Sequence, residues 1–471
     1  MPINDSRTAS SRHGAVLGHL RSRRRPGPSA RKIAFMTTEQ PFSVLIVGGG
    51  AGGLELACRL GRKWGPERVA LIDASLFHIW KPSLHEVAAG TLDIHQEGLS
   101  YQMLAHDRGF TFIYGPLAGL DATAHEVVVG AVADAGLEVL PQRRISYQSL
   151  VLAIGSVSND FGVPGVVDHA FSLDGPHDAE RFRLRMLRLL SLADIRKNTD
   201  PGAGLDIVII GGGATGVELA AELREASALH AQYGLRHIDV NRDVRIRILE
   251  GAPRLLAPLA VNVSEAATTL LGQRHVDVVT SCRVVRVDAD KVTDANGNVY
   301  PADLCVWAAG IKAPPLLAEL GLDVTRSGQV KVDGQLRVEG VRDVFAIGDC
   351  AYCAQPGGRS VPPRAQAAHQ QADYLVSLFQ LAPGTDLDAR APYHYHDHGS
   401  LVSLGSDATV GSLMGNLFKS TTWFVEGIFA RMMYVSLHLM HHRAVMGTLR
   451  TTVMAMARFL VKRARPLVKL H

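Results

Sequence analysis

The sequence has no run of eighteen or more uncharged apolar residues, so the length needed for a helix to span a bilayer is missing. Cysteine is scarce. Five in 471 residues, an odd number, argue against a disulfide framework and suit a reducing compartment. Charge of one sign is not in large excess, and a net +4 carries no implication of nucleic-acid binding. No apolar stretch follows the basic residues of the N-terminus, which excludes a secretory signal. The composition that remains, 47% hydrophobic and 20% charged, is that of a globular protein with room for two or three domains.

Basic residues gather at the two ends. Residues 1–40 carry Arg7, Arg12, Arg21, Arg23, Arg24, Arg25, Arg31 and Lys32 against Asp5 and Glu39, among Ser, Gly and Pro. They read as a disordered basic extension, or as residues upstream of a start at Met36, with a transit peptide as the alternative. No part in the fold is expected of them.

From Phe42 the pattern is strand and helix in alternation. Ser43–Val47 is an apolar, β-branched run suited to a buried parallel strand. Gly48, Gly50 and Gly53 then fit G-x-G-x-x-G, and a helix begins at Leu54. The first glycine permits the tight turn, the second lets backbone approach a pyrophosphate, and the third lets helix pack on strand. The helix N-terminus offers unpaired N–H groups to the phosphates. Asp73 ends the next strand, Val69–Ile72, where a ribose-binding acid belongs. Leu150–Ile154 is a further apolar strand, ending at Gly155 and Ser156.

The motif then repeats. Asp206–Ile210 leads into Gly211, Gly213 and Gly216, and the following strand, Val244–Leu249, ends at Glu250. An internal repeat of this kind predicts two dinucleotide-binding domains. A third signal, Asp343–Ile347 running into Gly348 and Asp349, puts a carboxylate at a strand tip. That suits a flavin's ribityl chain and implies that the chain returns to complete the first domain. The expected fold is α/β, with two doubly wound Rossmann-like domains, the second inserted in the first. The FAD domain comprises residues 41–160 and 311–385, the NADH domain residues 161–310, and residues 386–471 a C-terminal membrane-association region.

These three motifs, in this order, resemble the two-dinucleotide-binding-domain flavoproteins. The disulfide reductases of that group need a cysteine pair on the first helix, and here that helix has Cys58 alone. Instead Ala365-Gln366-Ala367-Ala368-His369-Gln370 resembles the A-Q-x-x-x-Q signature of type II NADH:quinone oxidoreductases, which do not pump protons. Tyr393–Gly399 with Leu404-Gly405 resembles the family's next strand, and Trp307–Ile311, with Gly310, resembles another strand end. The resemblance runs from about Phe42 to the C-terminus. It implies FAD in the first domain, NADH in the second, hydride transfer between them, and two-electron reduction of a membrane quinone. It also implies that Gln366 and Gln370 lie by the isoalloxazine, and that Glu218 stands close to nicotinamide and quinone. Glu250 would favour NADH by repelling a 2′-phosphate, although Arg247 and Arg254 leave NADPH open. Rival readings are a reductase of a ferredoxin- or rubredoxin-like protein, a sulfide:quinone oxidoreductase, and a redox sensor without turnover.

From Thr421 to His471 eight Arg and Lys face Glu426 alone, between aromatic and aliphatic residues. This reads as two helices broken near His441–Arg443, lying in the membrane interface. The expected placing is peripheral, on the cytoplasmic face of the inner or cell membrane, as a homodimer with its basic helices on an anionic lipid surface. No metal is expected. Cys350-x-x-Cys353 lacks a second pair of ligands. His394, His396 and His398 would share one outward strand face, and His438, His441 and His442 would titrate near neutrality beside lipid headgroups.

Overall fold

The structure, a computed structural model, describes residues 40–381, 390–405, 409–414, 422–464 and 468. The expected N-terminal extension lies outside the described residues. Two parallel sheets dominate, and in each the strand that feeds a glycine turn lies in the middle.

In the first, β1 (Phe42–Val47) leads into α1 (Ala51–Trp64) and β2 (Val69–Asp73), followed by β3 (Thr111–Tyr114), β4 (Leu117–Asp121), β5 (Glu126–Val129) and β6 (Arg143–Leu152). The order is β3-β2-β1-β6-β5-β4. The ten residues of β6 serve three partners, two of them in this run of strands. Arg143–Ser146 pair antiparallel with β5, whereas Leu150–Leu152 pair parallel with Leu45–Val47. Leu45, Ile46, Leu71, Leu150 and Val151 are inaccessible to solvent, as befits strands covered on both faces.

The second sheet is built from β7 (Leu205–Ile210), β8 (Val244–Leu249), β9 (Val276–Val279) and β10 (Leu304–Trp307), ordered β10-β7-β8-β9 and all parallel. The two-residue strand Ala170–Phe171 lies outside β10. Helix α2 (Pro176–Lys197) precedes β7, and α3 (Ala214–Tyr233) follows the second glycine turn. β11 (Val344–Ala346) then pairs with Leu150–Leu152 of β6, so the chain does return to the first sheet. Helix α4 (Ala365–Phe379) packs on α1.

Arg224 of α3 is buried and holds the second sheet's edge together. Its guanidinium donates to the carbonyl oxygens of Val240, Val244 and His275 at 2.6–2.8 Å. Arg224→Met removes all three of these hydrogen bonds and is expected to destabilise the protein by about 3 kcal/mol. The check is a lower midpoint of thermal unfolding.

The C-terminal part departs from expectation in three ways. Residues 391–398 form no strand; the next strand, β12 (Gly399–Ser403), starts only after the three histidines, which are all exposed. β12, β13 (Thr409–Met414) and β14 (Thr422–Glu426) form an antiparallel sheet ahead of the helices, and Val402, Leu404 and Val410 enter the core of the second sheet. The helices α5 (Gly427–Met446) and α6 (Thr448–Ala464) break at Gly447, not near His441–Arg443. Gly447 adopts φ 85°, a conformation glycine supplies cheaply. Among the described residues no helix is long and apolar enough to cross a membrane.

Candidate active site

The two glycine turns are built alike. Gly48 and Gly211 adopt φ 103° and 113°, and their N–H groups donate to Ile72 and Leu249, one strand over. Gly53 and Gly216 lie so close to the turn that an added Cβ would meet the carbonyl oxygen of Gly48 or Gly211 at 2.0 Å. Asp73 accepts from the Gly49 N–H at 2.6 Å, and Glu250 accepts from the Gly212 N–H. Each acid thus ties its strand end to its own turn.

Gly50 and Gly213 are the exceptions, because a Cβ at either would meet nothing within 4 Å. Both face a single cleft of about 2220 Å³. The helices that start there have no side-chain cap and no acid in the first turn, so their leading N–H groups are available to an anion. An open floor with free N–H donors fits a dinucleotide pyrophosphate at each turn.

The cleft continues past Gly155, Gly310, Gly348 and Asp349. Asp349 accepts from Ser156 Oγ at 2.8 Å, and Lys81 Nζ donates to the Ser156 carbonyl at 2.7 Å. The Gly348 N–H donates to buried Gln371 at 2.7 Å. Lys81 and Gln371 carry no motif of their own, which is why sequence reasoning passed over them, and Ser156 is legible there only as a strand end.

Gln366 and Gln370 reach the cleft with their amides engaged. Gln370 exchanges two hydrogen bonds with the backbone of His396, at 2.8 and 2.9 Å. Gln366 donates to the Gly399 carbonyl at 3.1 Å and accepts from the His398 N–H at 3.3 Å. The two glutamines fasten residues 396–399 to α4 as part of the cleft wall.

Glu218 also lines the cleft. It accepts from the Ser403 N–H at 3.0 Å, so the C-terminal sheet completes its surroundings. Burial, reinforced by the charges of Glu86 and Glu222, outweighs that bond and pushes its carboxyl up to about 8. The buried imidazole of His85 lies 3.5 Å away, and burial pushes it down to about 4. A neutral acid therefore sits beside a neutral base at pH 7.

Helix α5 forms the far wall. His441 and His442 are buried, and burial with mutual repulsion pushes His438 down to about 2 and His442 to about 4. The expectation that these two titrate near neutrality beside headgroups is thereby corrected. Glu97, His438 and His442 bring their polar atoms together. Arg458 reaches both Glu97 and His438 at 3.4 Å and places a cation beside them. All five cysteines are free and buried, and burial pushes Cys58, Cys305 and Cys350 up to about 12, so none offers a thiolate.

Two parallel sheets whose glycine turns open on one cleft define a pyridine-nucleotide flavoprotein. The pattern of the pyridine nucleotide-disulphide oxidoreductases matches residues 42–372. The chain is 36% identical over 447 residues to the type II NADH:quinone oxidoreductase of Haemophilus influenzae, a match covering 91% of this chain and 100% of that one. It belongs to that family. It is also 30% identical to the demethylphylloquinone reductase of a Synechocystis species, over 81% of this chain and 88% of that one. The NDH2 of Plasmodium falciparum, solved with NADH, shares the fold with a TM-score of 0.75 at 19% identity, over 91% of this chain and 100% of that one.

Proposed function

We propose that the chain oxidises NADH and reduces a membrane quinone, with FAD in the first parallel-sheet domain and NADH in the second. The observation that carries this reading is the single cleft, which runs from both glycine turns to the apolar C-terminal helices. Bound FAD supplies hydride acceptance and two-electron donation. Gly48, Gly50 and Gly53 shape the FAD turn, Asp73 holds its ribose side, and Gly155, Gly348 and Asp349 hold the rest of the flavin. Gly211, Gly213, Gly216, Glu250 and Gly310 do the same for NADH. Glu218, kept neutral by burial, orients the reacting rings and donates a hydrogen bond. Gln366 and Gln370 fix the wall against which quinone lies. The domain boundaries given above describe the same division of labour.

The outer faces of α5 and α6 support attachment to a lipid surface. Met432, Met440, Leu449, Val453, Met456 and Leu460 are 57–79% exposed. Apolar side chains carried so far into solvent, with Arg443 beside them, suit the plane of an anionic bilayer. We place the enzyme as a peripheral homodimer on the cytoplasmic face.

Purified protein with bound flavin should bleach on adding NADH and recover its colour on adding a short-chain quinone. Bleaching without reoxidation would refute quinone as acceptor. The L449E/M456E variant, altered only on the exposed face, should keep this activity and lose sedimentation with anionic phospholipid vesicles. Undiminished sedimentation would refute the lipid face.

A further inference from the structure

Two histidines of α5 and a glutamate far from them in the chain converge where the cleft meets the C-terminal helices. His438 and His442 stand one turn apart on α5, with ring centroids 4.2 Å apart. Glu97 closes the short helix Ile94–Glu97. One polar atom of each of the three lies within 4.8 Å of the others. His442 is buried, and Glu97 keeps 20% of its side chain in contact with solvent. All three line the cleft, as does Arg458 of α6. Neither the glycine motifs, nor the carboxylate at the strand tip, nor the two glutamines of α4 give them a task.

Hydrogen-bond polarity fixes which ring nitrogens carry lone pairs. His442 Nδ1 lies 3.0 Å from the carbonyl oxygen of His438. A carbonyl only accepts, so Nδ1 holds the proton and Nε2 of the neutral ring is bare. His438 Nε2 lies 3.4 Å from a guanidinium nitrogen of Arg458, which only donates, so this Nε2 is bare too. An imidazole that gives its N–H to a backbone carbonyl and keeps its other nitrogen bare is arranged as metal-ligating histidines are. Glu97 adds a carboxylate oxygen. Two imidazole nitrogens and one carboxylate suit Zn²⁺, whereas a hard cation such as Mg²⁺ prefers oxygen alone. Zinc bonds of about 2.1 Å set tetrahedral ligand atoms about 3.4 Å apart, so the three must draw together by about 1.4 Å at most. Side-chain rotation supplies a movement of that size.

Arg458 stands among these ligands and has a second carboxylate to turn to. Its guanidinium meets Glu97 and His438 at 3.4 Å and Glu86 at 3.7 Å. We propose that Glu97, His438 and His442 form an inhibitory Zn²⁺ site, with Arg458 as the metal's built-in competitor. On binding, Arg458 leaves Glu97 and His438 and keeps Glu86, and a water completes the tetrahedron. The ion and the three side chains drawn onto it then narrow the cleft, which runs from the glycine turns to α5 and α6. The consequence, slower quinone reduction, rests on the function proposed above. The site does not.

Calorimetric titration of the holoenzyme with Zn²⁺ should show binding at micromolar concentration that Mg²⁺ does not compete with. Glu97→Gln and His438→Gln should each weaken it by about tenfold or more, with flavin content and the unfolding midpoint as the check on folding. Arg458→Gln should tighten it about tenfold, because a competing positive charge is gone. Loss of a merely structural contact would not tighten binding. In the parent, Zn²⁺ should slow quinone reduction, leave bleaching of the flavin by NADH unchanged, and be reversed by a chelator. Zn²⁺ binding that is absent, or indifferent to Glu97→Gln and His438→Gln, would overturn the site. So would binding that disappears on replacing the exposed His394, His396 and His398 instead, or that weakens in Arg458→Gln. Zn²⁺ bound as described without slower quinone reduction would overturn the inhibition. Failure of the parent to reduce quinone without Zn²⁺ would overturn the proposed function and leave the calorimetric result standing.

Discussion

Gly216→Ala should give a protein that stays yellow and no longer responds to NADH, and Gly53→Ala one that loses its flavin. The two substitutions are the same chemically and almost the same sterically. In each, the new methyl meets a turn carbonyl oxygen at 2.0 Å, far inside contact distance. Backbone on both sides prevents the clash from being relieved by a side chain swinging away, so helix and turn must separate. Overpacking of this kind costs about 1–3 kcal/mol, which corresponds to about five- to a hundred-and-fiftyfold in dinucleotide affinity. The crossed outcome is the informative one. If Gly216→Ala released flavin and Gly53→Ala kept it, the assignment of FAD to the first turn and NADH to the second would be reversed. Absorbance of the purified protein and its bleaching by graded NADH measure both losses.

Glu218→Gln should lower quinone turnover about a hundredfold near pH 7 and remove the alkaline limb of its pH profile. In the folded protein the carboxyl is pushed up to about 8, chiefly by burial. It is therefore neutral and able to donate up to that pH, and becomes a buried charge above it. The same shift has a sign for stability. A group whose native value lies above its unfolded value contributes fully below the unfolded value, here about 4.5, and that contribution is lost as pH rises through about 8. The glutamine variant should thus be more stable than the parent at pH 9 while being slower at pH 7. A variant that kept its alkaline limb would show that another group sets it. His85, already neutral well below pH 7, is not a candidate for that limb.

Much of the first half of this site could be read in the chain. Gly48, Gly53, Gly211 and Gly216 are legible because close approach of backbone forbids a side chain, and Gly50 and Gly213 because their spacing marks the open floor between them. Asp73, Glu250 and Asp349 are legible because they end apolar strands. Gln366 and Gln370 could be placed at the cleft by resemblance, but not their use: their amides clamp residues 396–399, and that pairing spans parts of the chain with no local pattern in common. Glu218 was named, yet its neutrality was not, since it arises from burial completed by Ser403, 185 positions later.

The sequence by itself determined two nucleotide turns, two parallel sheets and the return of the chain to the first of them. Each depends on period, glycine spacing and apolar runs, which act over a few residues. The tertiary structure decided how buried charges are matched. Glu55 lies in an apolar stretch of α1 and would read as a misplaced charge. Only the approach of α4 and α5 brings His369 and His441 to its two oxygens, because a buried carboxylate is tolerable when partners from distant segments converge on it.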